Sequence, residues 1–433
     1  MKSENIGKRT NTDQTTANQS RAKKAFRAFG ALAALALCLS NYSAPMRALR
    51  ALPDTVRVAG AELPESLKQG QLAGLLTWDQ TSVPVTASTD ERLQEKTEDV
   101  LTCRLFGVLP VKTVELKHSK DVYLIPGGTA VGITIRTQGV LVVGLGAVDT
   151  DEGMLSPGNA AGIKAGDVIL AADGEPIKNA DHLAKLTRAS DGELELMLLR
   201  DGESIATSIQ LVRDTANDTY RIGLWVRDST AGVGTLSFYD PEEGWFAALG
   251  HPVSDIDTQS LLSVRDGRIV STQIVSVRKG EQGAPGELMG EFAVSGEAMG
   301  EILVNSEFGI FGKTHKAYEN PIYGPLSMAY GFEAHTGPAQ ILATVSTEGV
   351  QAFDCQVVRV NAQSKAATKG MVIDITDERL LSATGGIVQG MSGCPILQDG
   401  KLIGVVTHVF VNDPTRGYCI YAEWMLEQIQ KAG

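Results

Sequence analysis

One run of twenty residues, Pro157-Gly-Asn-Ala-Ala-Gly-Ile-Lys-Ala-Gly-Asp-Val-Ile-Leu-Ala-Ala-Asp-Gly-Glu-Pro176, narrows what this chain can fold into more than any other stretch. Gly162 and Gly166 permit tight turns around a short helical segment. Val168–Ala172 reads as a strand, and Asp173-Gly174 as the two-residue turn of a hairpin. Asn179 caps a helix over Ala180–Ala189, with Leu183 and Leu186 on one face. Further strand patterns, Val131–Arg136, Gly139–Gly144, Leu194–Arg200 and Glu203–Val212, surround this core. The whole predicts a compact module over residues 119–214.

The module resembles a PDZ domain. The small residues Ala160-Ala-Gly162, then Gly166-Asp167-Val-Ile169, then the Asp173-Gly174 turn carry that resemblance. It implies a groove in which a peptide adds a strand beside the Ala180–Ala189 helix. The loop that would hold the peptide's carboxylate is expected near Gly127-Gly128 and Val131-Gly132, where glycine lets N–H groups converge. The alternative is that these glycines only make turns and that the chain's own segments shut the pocket.

At 433 residues the chain has room for about three units. Charged residues are 21% and hydrophobic residues 43%, as in folded soluble proteins, which excludes a disordered chain or a polytopic membrane protein. The net charge of −12 repels phosphate backbones, so nucleic acid is not an expected partner. Residues 1–27 form a basic tail, with Lys2, Lys8, Arg9, Arg21, Lys23, Lys24 and Arg27 against Glu4 and Asp13. An uncharged apolar core follows within residues 28–44. Basic flank, apolar core and polar exit are the layout of an export signal. Kept, it is a membrane anchor; cut, it releases the protein. Either way the remainder is exported. Residues 45–118 read as linker and accessory strands, with one strand at Thr55–Ala59 and two over Val100–Leu116 split at Pro110. Cys103, Cys355, Cys394 and Cys419 match no zinc spacing, and are expected to be small buried residues or to pair.

Residues 215–433 alternate as strands almost throughout, with a helical period only over Ala422–Lys431, which predicts a sandwich or paired barrels. Their sharpest motif is Gly390-Met-Ser392-Gly-Cys-Pro395, followed by a hairpin and Gly404-Val-Val-Thr-His408. It resembles the nucleophile region of chymotrypsin-like serine proteases. A serine needs a base to become a nucleophile. Gly390 and Gly393 free the backbone to aim N–H groups at a developing oxyanion, each such donor being worth about 3–4 kcal/mol of barrier. Among six histidines, His251 ends an apolar run in a Gly-His-Pro turn, where a base is needed. Thr407 and His408 on the returning strand are expected to line the substrate pocket. Asp374 and Asp377 both fall between His251 and Ser392, and either could instead cap a turn. No cofactor or metal is expected.

Taken together, the chain from about residue 95 resembles the SpoIVB peptidases, the stage IV sporulation protein B family. The resemblance rests on Leu124-Ile-Pro-Gly-Gly-Thr-Ala-Val-Gly-Ile133, Ala248-Leu-Gly-His-Pro252, Phe308-Gly-Ile-Phe-Gly312, Gly385-Gly-Ile-Val-Gln-Gly-Met-Ser-Gly393 and Thr407-His-Val-Phe-Val-Asn-Asp-Pro-Thr415. It implies a mainly β chain: an N-terminal membrane anchor, a PDZ domain over 119–214, and a chymotrypsin-like double β-barrel over 215–433. It implies a triad of His251, Asp377 and Ser392. Cys394 departs from the serine expected there. It implies an exported serine endopeptidase of endospore formation, acting between the forespore and mother-cell membranes. Its expected partners are a membrane-associated regulatory protein, which it cleaves to trigger late sigma factor activation, and a peptide for the PDZ groove. Self-cleavage is expected in the irregular stretch 46–95. A reading of another class, an anchored PDZ adaptor whose protease-like domain is inert, fits the same domain order.

Overall fold

The computed structural model describes residues 55–59, 76–85, 96–105, 107–292 and 297–432. The basic tail, the expected anchor at 28–44 and most of the 46–95 stretch lie outside the described residues. The chain divides into two compact units, one of Met1–Val56 and Leu67–Lys117, the other of Arg57–Ser66 and His118–Gly433. In the first, the strands Leu76–Val85, Lys96–Leu105 and Leu109–Ser119 pair antiparallel in sequence order, with Thr55–Ala59 at the sheet's edge. Leu101 and Cys103, and Val114 and Leu116, alternate to bury one face. The turn falls at Gly107, where φ is +72°, and not at Pro110, which pairs with Arg104 at the head of its strand.

Twelve strands of the second unit form two rings. β1 (Ala130–Leu145), β2 (Leu224–Tyr239), β3 (Trp245–Ala248), β4 (Val264–Ser271), β5 (Ala298–Ser306) and β6 (Gly309–Thr314) pair in the order β1-β4-β5-β6-β3-β2, and β2 returns to β1. Inward residues such as Ile133, Ile135, Leu236, Phe246, Ile269 and Ile310 fill this ring. β7 (Gly337–Thr344), β8 (Val350–Val360), β9 (Met371–Ile375), β10 (Pro395–Gln398), β11 (Lys401–Phe410) and β12 (Asp413–Tyr421) close the second, in the order β7-β8-β9-β12-β11-β10. Closure pairs every strand of each ring on both sides, though some only over part of their length. Among the described residues, besides the one-turn helix Pro157–Ala160, there are three helices, of which α1 (Ala180–Ala189) belongs to the PDZ region. α2 (Glu378–Thr384) follows β9. α3 (Ala422–Ala432) lies against β11 and β12 of one ring and β3 and β6 of the other, burying Trp424, Met425, Leu426 and Ile429.

α2 departs from the all-β expectation for this stretch. Asp377 caps it by accepting from the Arg379 N–H at 2.9 Å, and Gly385 closes it at φ +74°.

The PDZ fold grows out of the first ring. Val140 and Leu141 of β1 pair with Ile169 and Val168 of the strand Val168–Ala172, which pairs in turn with Glu193–Arg200. Val140, Val142, Ile169, Leu183, Leu194 and Leu196 make its core. Asn179 caps α1 by accepting from the His182 N–H at 2.8 Å, and Asp173 and Gly174 both take positive φ in the hairpin turn. The two strands expected at Val131–Arg136 and Gly139–Gly144 are one strand. Its first half belongs to the barrel and its second to the PDZ sheet.

Candidate active site

Two turns face each other across the junction of the rings. The first follows β3. Leu249 and Gly250 both take positive φ, +72° and +70°, and deliver His251. A buried leucine in that conformation is strained, a condition that persists only where the surroundings impose it. Here they do. The backbone of Leu249 donates to the Thr235 carbonyl at 3.3 Å, and a Cβ on Gly250 would stand 2.8 Å from Val405 and 3.1 Å from Thr407. Beyond the histidine, Asn305 pins the chain. It accepts from the Val253 N–H at 2.9 Å and donates to the Val253 and Leu262 carbonyls at 2.8 and 2.9 Å.

The second turn precedes β10 and carries Ser392. Gly390 and Gly393 stand at φ +97° and +96°. The Gly393 N–H donates to the Val406 carbonyl at 2.7 Å, and the Met391 N–H to the Val388 carbonyl at 3.1 Å. Gly393 is therefore not the anion donor expected; it seats the turn on β11. Among the described residues the N–H groups of Gly390 and Ser392 have no acceptor within the protein. They are the pair left for an oxyanion.

Thr235 joins the turns. Its hydroxyl donates to the Gly390 carbonyl at 2.7 Å, its N–H to the Ser392 carbonyl at 3.2 Å, and its own carbonyl accepts from Leu249. The residue is 1% exposed. Nothing in the local pattern of β2 marks it. Its role arises only when strands far apart in sequence meet.

The Ser392 hydroxyl donates to the Thr407 carbonyl at 3.0 Å. The next residue, His408, is exposed, with its ring 5.2 Å from that of His251. The structure thus gathers Ser392, His251, Thr407 and His408. Nδ1 of His251 lies 2.8 Å from the Pro252 carbonyl. As an N–H donor there it leaves Nε2 with a lone pair, the tautomer a general base requires. Burial holds His251 below its ordinary pKa, against the opposing pull of the Pro252 carbonyl. Partial desolvation of the His408 ring by its neighbours lowers its pKa first, and the charges of His251 and Lys369 add to this.

Neither candidate aspartate hydrogen-bonds His251. Asp377 serves α2. Its carboxylate takes the Arg379 guanidinium at 2.7 Å and the Asp354 N–H at 3.2 Å, and Arg379 draws its pKa down to about 2. Asp374 faces Arg416 at 3.3 Å. Cys355, Cys394 and Cys419 are unpaired and buried in the second ring; burial pushes the Cys394 thiol up to about 12, far from a reactive thiolate.

Residues 218–426 match the family SpoIVB peptidase S55, and residues 155–201 match the PDZ domain family. The chain thus carries a region of the SpoIVB peptidase S55 family and, before it, a PDZ-family region. Two solved structures similar to the chain are distant. A PDZ domain of the SdrC-like protein from Listeria monocytogenes is 20% identical over 21% of this chain and 87% of its own, with a TM-score of 0.17. A protease from M. tuberculosis in its active form is 15% identical over 47% of this chain and 75% of its own, with a TM-score of 0.28.

In this chain the segment expected to receive a carboxylate does not form a PDZ loop. Gly127 and Gly128 donate their N–H groups to the Ser237 and Leu236 carbonyls at 2.9 and 2.8 Å. Val131 and Gly132 lie in β1, paired to Ser271 and Val270 of β4 on one edge and to Gly234 and Val233 of β2 on the other. Both edges are filled, so no peptide strand can add there. The second half of β1 is filled likewise. Opposite the strand Val168–Ala172 it pairs with Leu224–Arg227 of β2, whose Leu224 and Val226 pack on the PDZ core. The reading in which the chain shuts its own groove holds at these residues.

Proposed function

We propose that the protein is an exported serine endopeptidase in which Ser392 is the nucleophile and His251 the general base. What carries this reading is the juxtaposition at Thr235: one residue clamps the serine turn to the histidine turn and leaves the Gly390 and Ser392 N–H groups unclaimed. In the reaction Nε2 of His251 takes the hydroxyl proton as the Ser392 oxygen attacks the scissile carbonyl. The oxyanion forms against the two N–H groups, and the imidazolium gives its proton to the departing amine. The hydroxyl must first leave the Thr407 carbonyl, a rotation about one bond.

The family resemblance extends the proposal. The substrate is a membrane-associated regulatory protein of endospore formation, and the chain itself. The place is the space between forespore and mother-cell membranes, with the N-terminal segment as anchor or export signal. The consequence is activation of a late sigma factor. Mass spectrometry of the purified full chain tests the proteolytic part: wild-type protein should accumulate fragments cut within residues 46–95, and a His251→Ala preparation should not. Equal accumulation by both would mean that another protease makes the cuts.

A base that stays neutral into mild acid should show in the pH profile. The rising limb of kcat/KM on a peptide is expected to lie below the ordinary histidine value of 6.5, because burial lowers the His251 pKa and the neutral form does the work. A limb above pH 7 would mean a histidine stabilised as its cation, the signature of a carboxylate partner.

The family resemblance assigns that partner to Asp377, which here is held by Arg379 and α2. Asparagine caps a helix as well as aspartate does. Asp377→Asn is therefore expected to keep turnover within about tenfold of wild type, whereas removal of a true triad carboxylate costs about 10⁴-fold. A loss of the larger size would place Asp377 at His251 during the reaction and restore the full triad.

A further inference from the structure

Lys369 stands alone at the rim of the site. Its ammonium lies 4.7 Å above the Tyr418 ring, and no carboxylate pairs with it among the described residues. The acidic groups nearby are occupied: Arg416 holds Asp374 at 3.3 Å and Asp413 at 3.5 Å. In a chain with 51 acidic and 39 basic residues, an unmatched exposed cation beside a catalytic cleft is out of balance with its surroundings.

Its position relates it to the substrate path. Tyr418 is the cross-strand partner of His408, and the next residue outward along that line is the open edge of β11. β11 pairs with β10 only over Lys401–Val405, while its partner over His408–Phe410 is β12 alone. An extended substrate can add to this edge just beyond Ser392. Side chains of neighbouring strands at one level share a face. A substrate side chain level with His408 therefore falls on the face that carries His408, Tyr418 and Lys369. His408 offers an imidazole donor there, and Lys369, whose ammonium lies over the Tyr418 ring, a fixed positive charge behind it.

We propose that this rim selects substrates with an acidic side chain, aspartate or glutamate, near the scissile bond, with His408 as the direct contact and Lys369 as the charge behind it. The proposal rests on the peptidase reading and names the substrate class for that site. Its chemistry needs nothing beyond an ion pair across a partly solvated cleft.

The test uses the full-length protein and pairs of quenched fluorescent peptides that differ only as Glu against Gln, scanned over the four positions on the amino side of the cut. At one position the Glu peptide is expected to have a kcat/KM about fivefold higher, the size of a partly exposed ion pair, and the advantage should shrink in high salt. Lys369→Gln should erase most of the preference, and Lys369→Glu should make the Gln peptide the better substrate. The ratio between paired peptides is read within one preparation, so a partly folded variant does not distort it. Equal cleavage of Glu and Gln peptides by the wild type at every position overturns the specificity while leaving the peptidase intact, as does a preference that survives Lys369→Glu. Failure to cut any peptide overturns both.

Discussion

Ser392→Ala is expected to abolish peptide cleavage, lowering kcat by roughly 10⁴ to 10⁶-fold, as loss of a nucleophile does when binding and oxyanion donors remain. The fold should hardly notice. The hydroxyl makes one hydrogen bond, to the Thr407 carbonyl, in a half-buried position, and such a bond contributes about 1 kcal/mol. The contacts that seat the turn, from Gly393 to Val406, from the Thr235 N–H to Ser392 and from the Thr235 hydroxyl to Gly390, use only main-chain atoms of the turn itself, and alanine keeps them all. A cooperative melt close to that of the wild type, together with lost turnover, is the expected pair of results. Turnover within tenfold of wild type would remove Ser392 from the chemistry.

Gly393→Ala should come close to this in effect by a different route. The residue stands at φ +96°, where a side chain is strained. A Cβ there would also fall inside contact distance of the Thr235 carbonyl oxygen and 2.6 Å from the Leu249 nitrogen. Both are backbone atoms of the elements that carry the histidine turn, so neither can yield without moving His251 away from Ser392. Displacements of about 1 Å at reacting groups cost on the order of 10²-fold in rate. We expect kcat/KM to fall by at least about 10²-fold, with a loss of about 1–3 kcal/mol in stability. Gly400→Ala is the control. Gly400 has φ +74° with open space around it, in the hairpin between β10 and β11. It carries similar strain without the collision, and its activity should persist. Equal loss in both variants would mean that general destabilisation, and not separation of the two turns, is responsible.

How much of this was legible in the amino-acid sequence depended on the range of the forces involved. Thr55–Ala59, Val168–Ala172 and Ala180–Ala189 lie where local patterning put them, because Asn179 and the Asp173-Gly174 turn act through their own neighbours. Ser392 and His251 could be picked out because their turns carry glycine signatures. α2 was within reach, since Asp377 and Gly385 are its cap residues, but seven residues give too little periodicity to outweigh the surrounding strands. The continuity of β1 was not. Thr137-Gln-Gly139 reads locally as a hairpin turn, and Gly139 does take φ +74°, but the strand runs on through a bulge because β2, about a hundred residues away, pairs with it on both sides of the break. That is also why Gly127–Gly132 looked like a ligand loop. Thr235, the Pro252 carbonyl and Asn305 leave no signal, as each acts on a residue that only the fold brings near.

The central claim is that one serine among those of this chain is activated as a nucleophile. A fluorophosphonate reacts covalently only with such a serine, so it also separates a working peptidase from an inert PDZ adaptor of the same domain order. The measurement is labelling of the purified full chain, followed by peptide mapping of the adduct by mass spectrometry. The expected result is a single adduct on the peptide that contains Gly390–Pro395, at Ser392, with none formed by His251→Ala protein. No adduct, or an adduct on a different serine, would contradict the account.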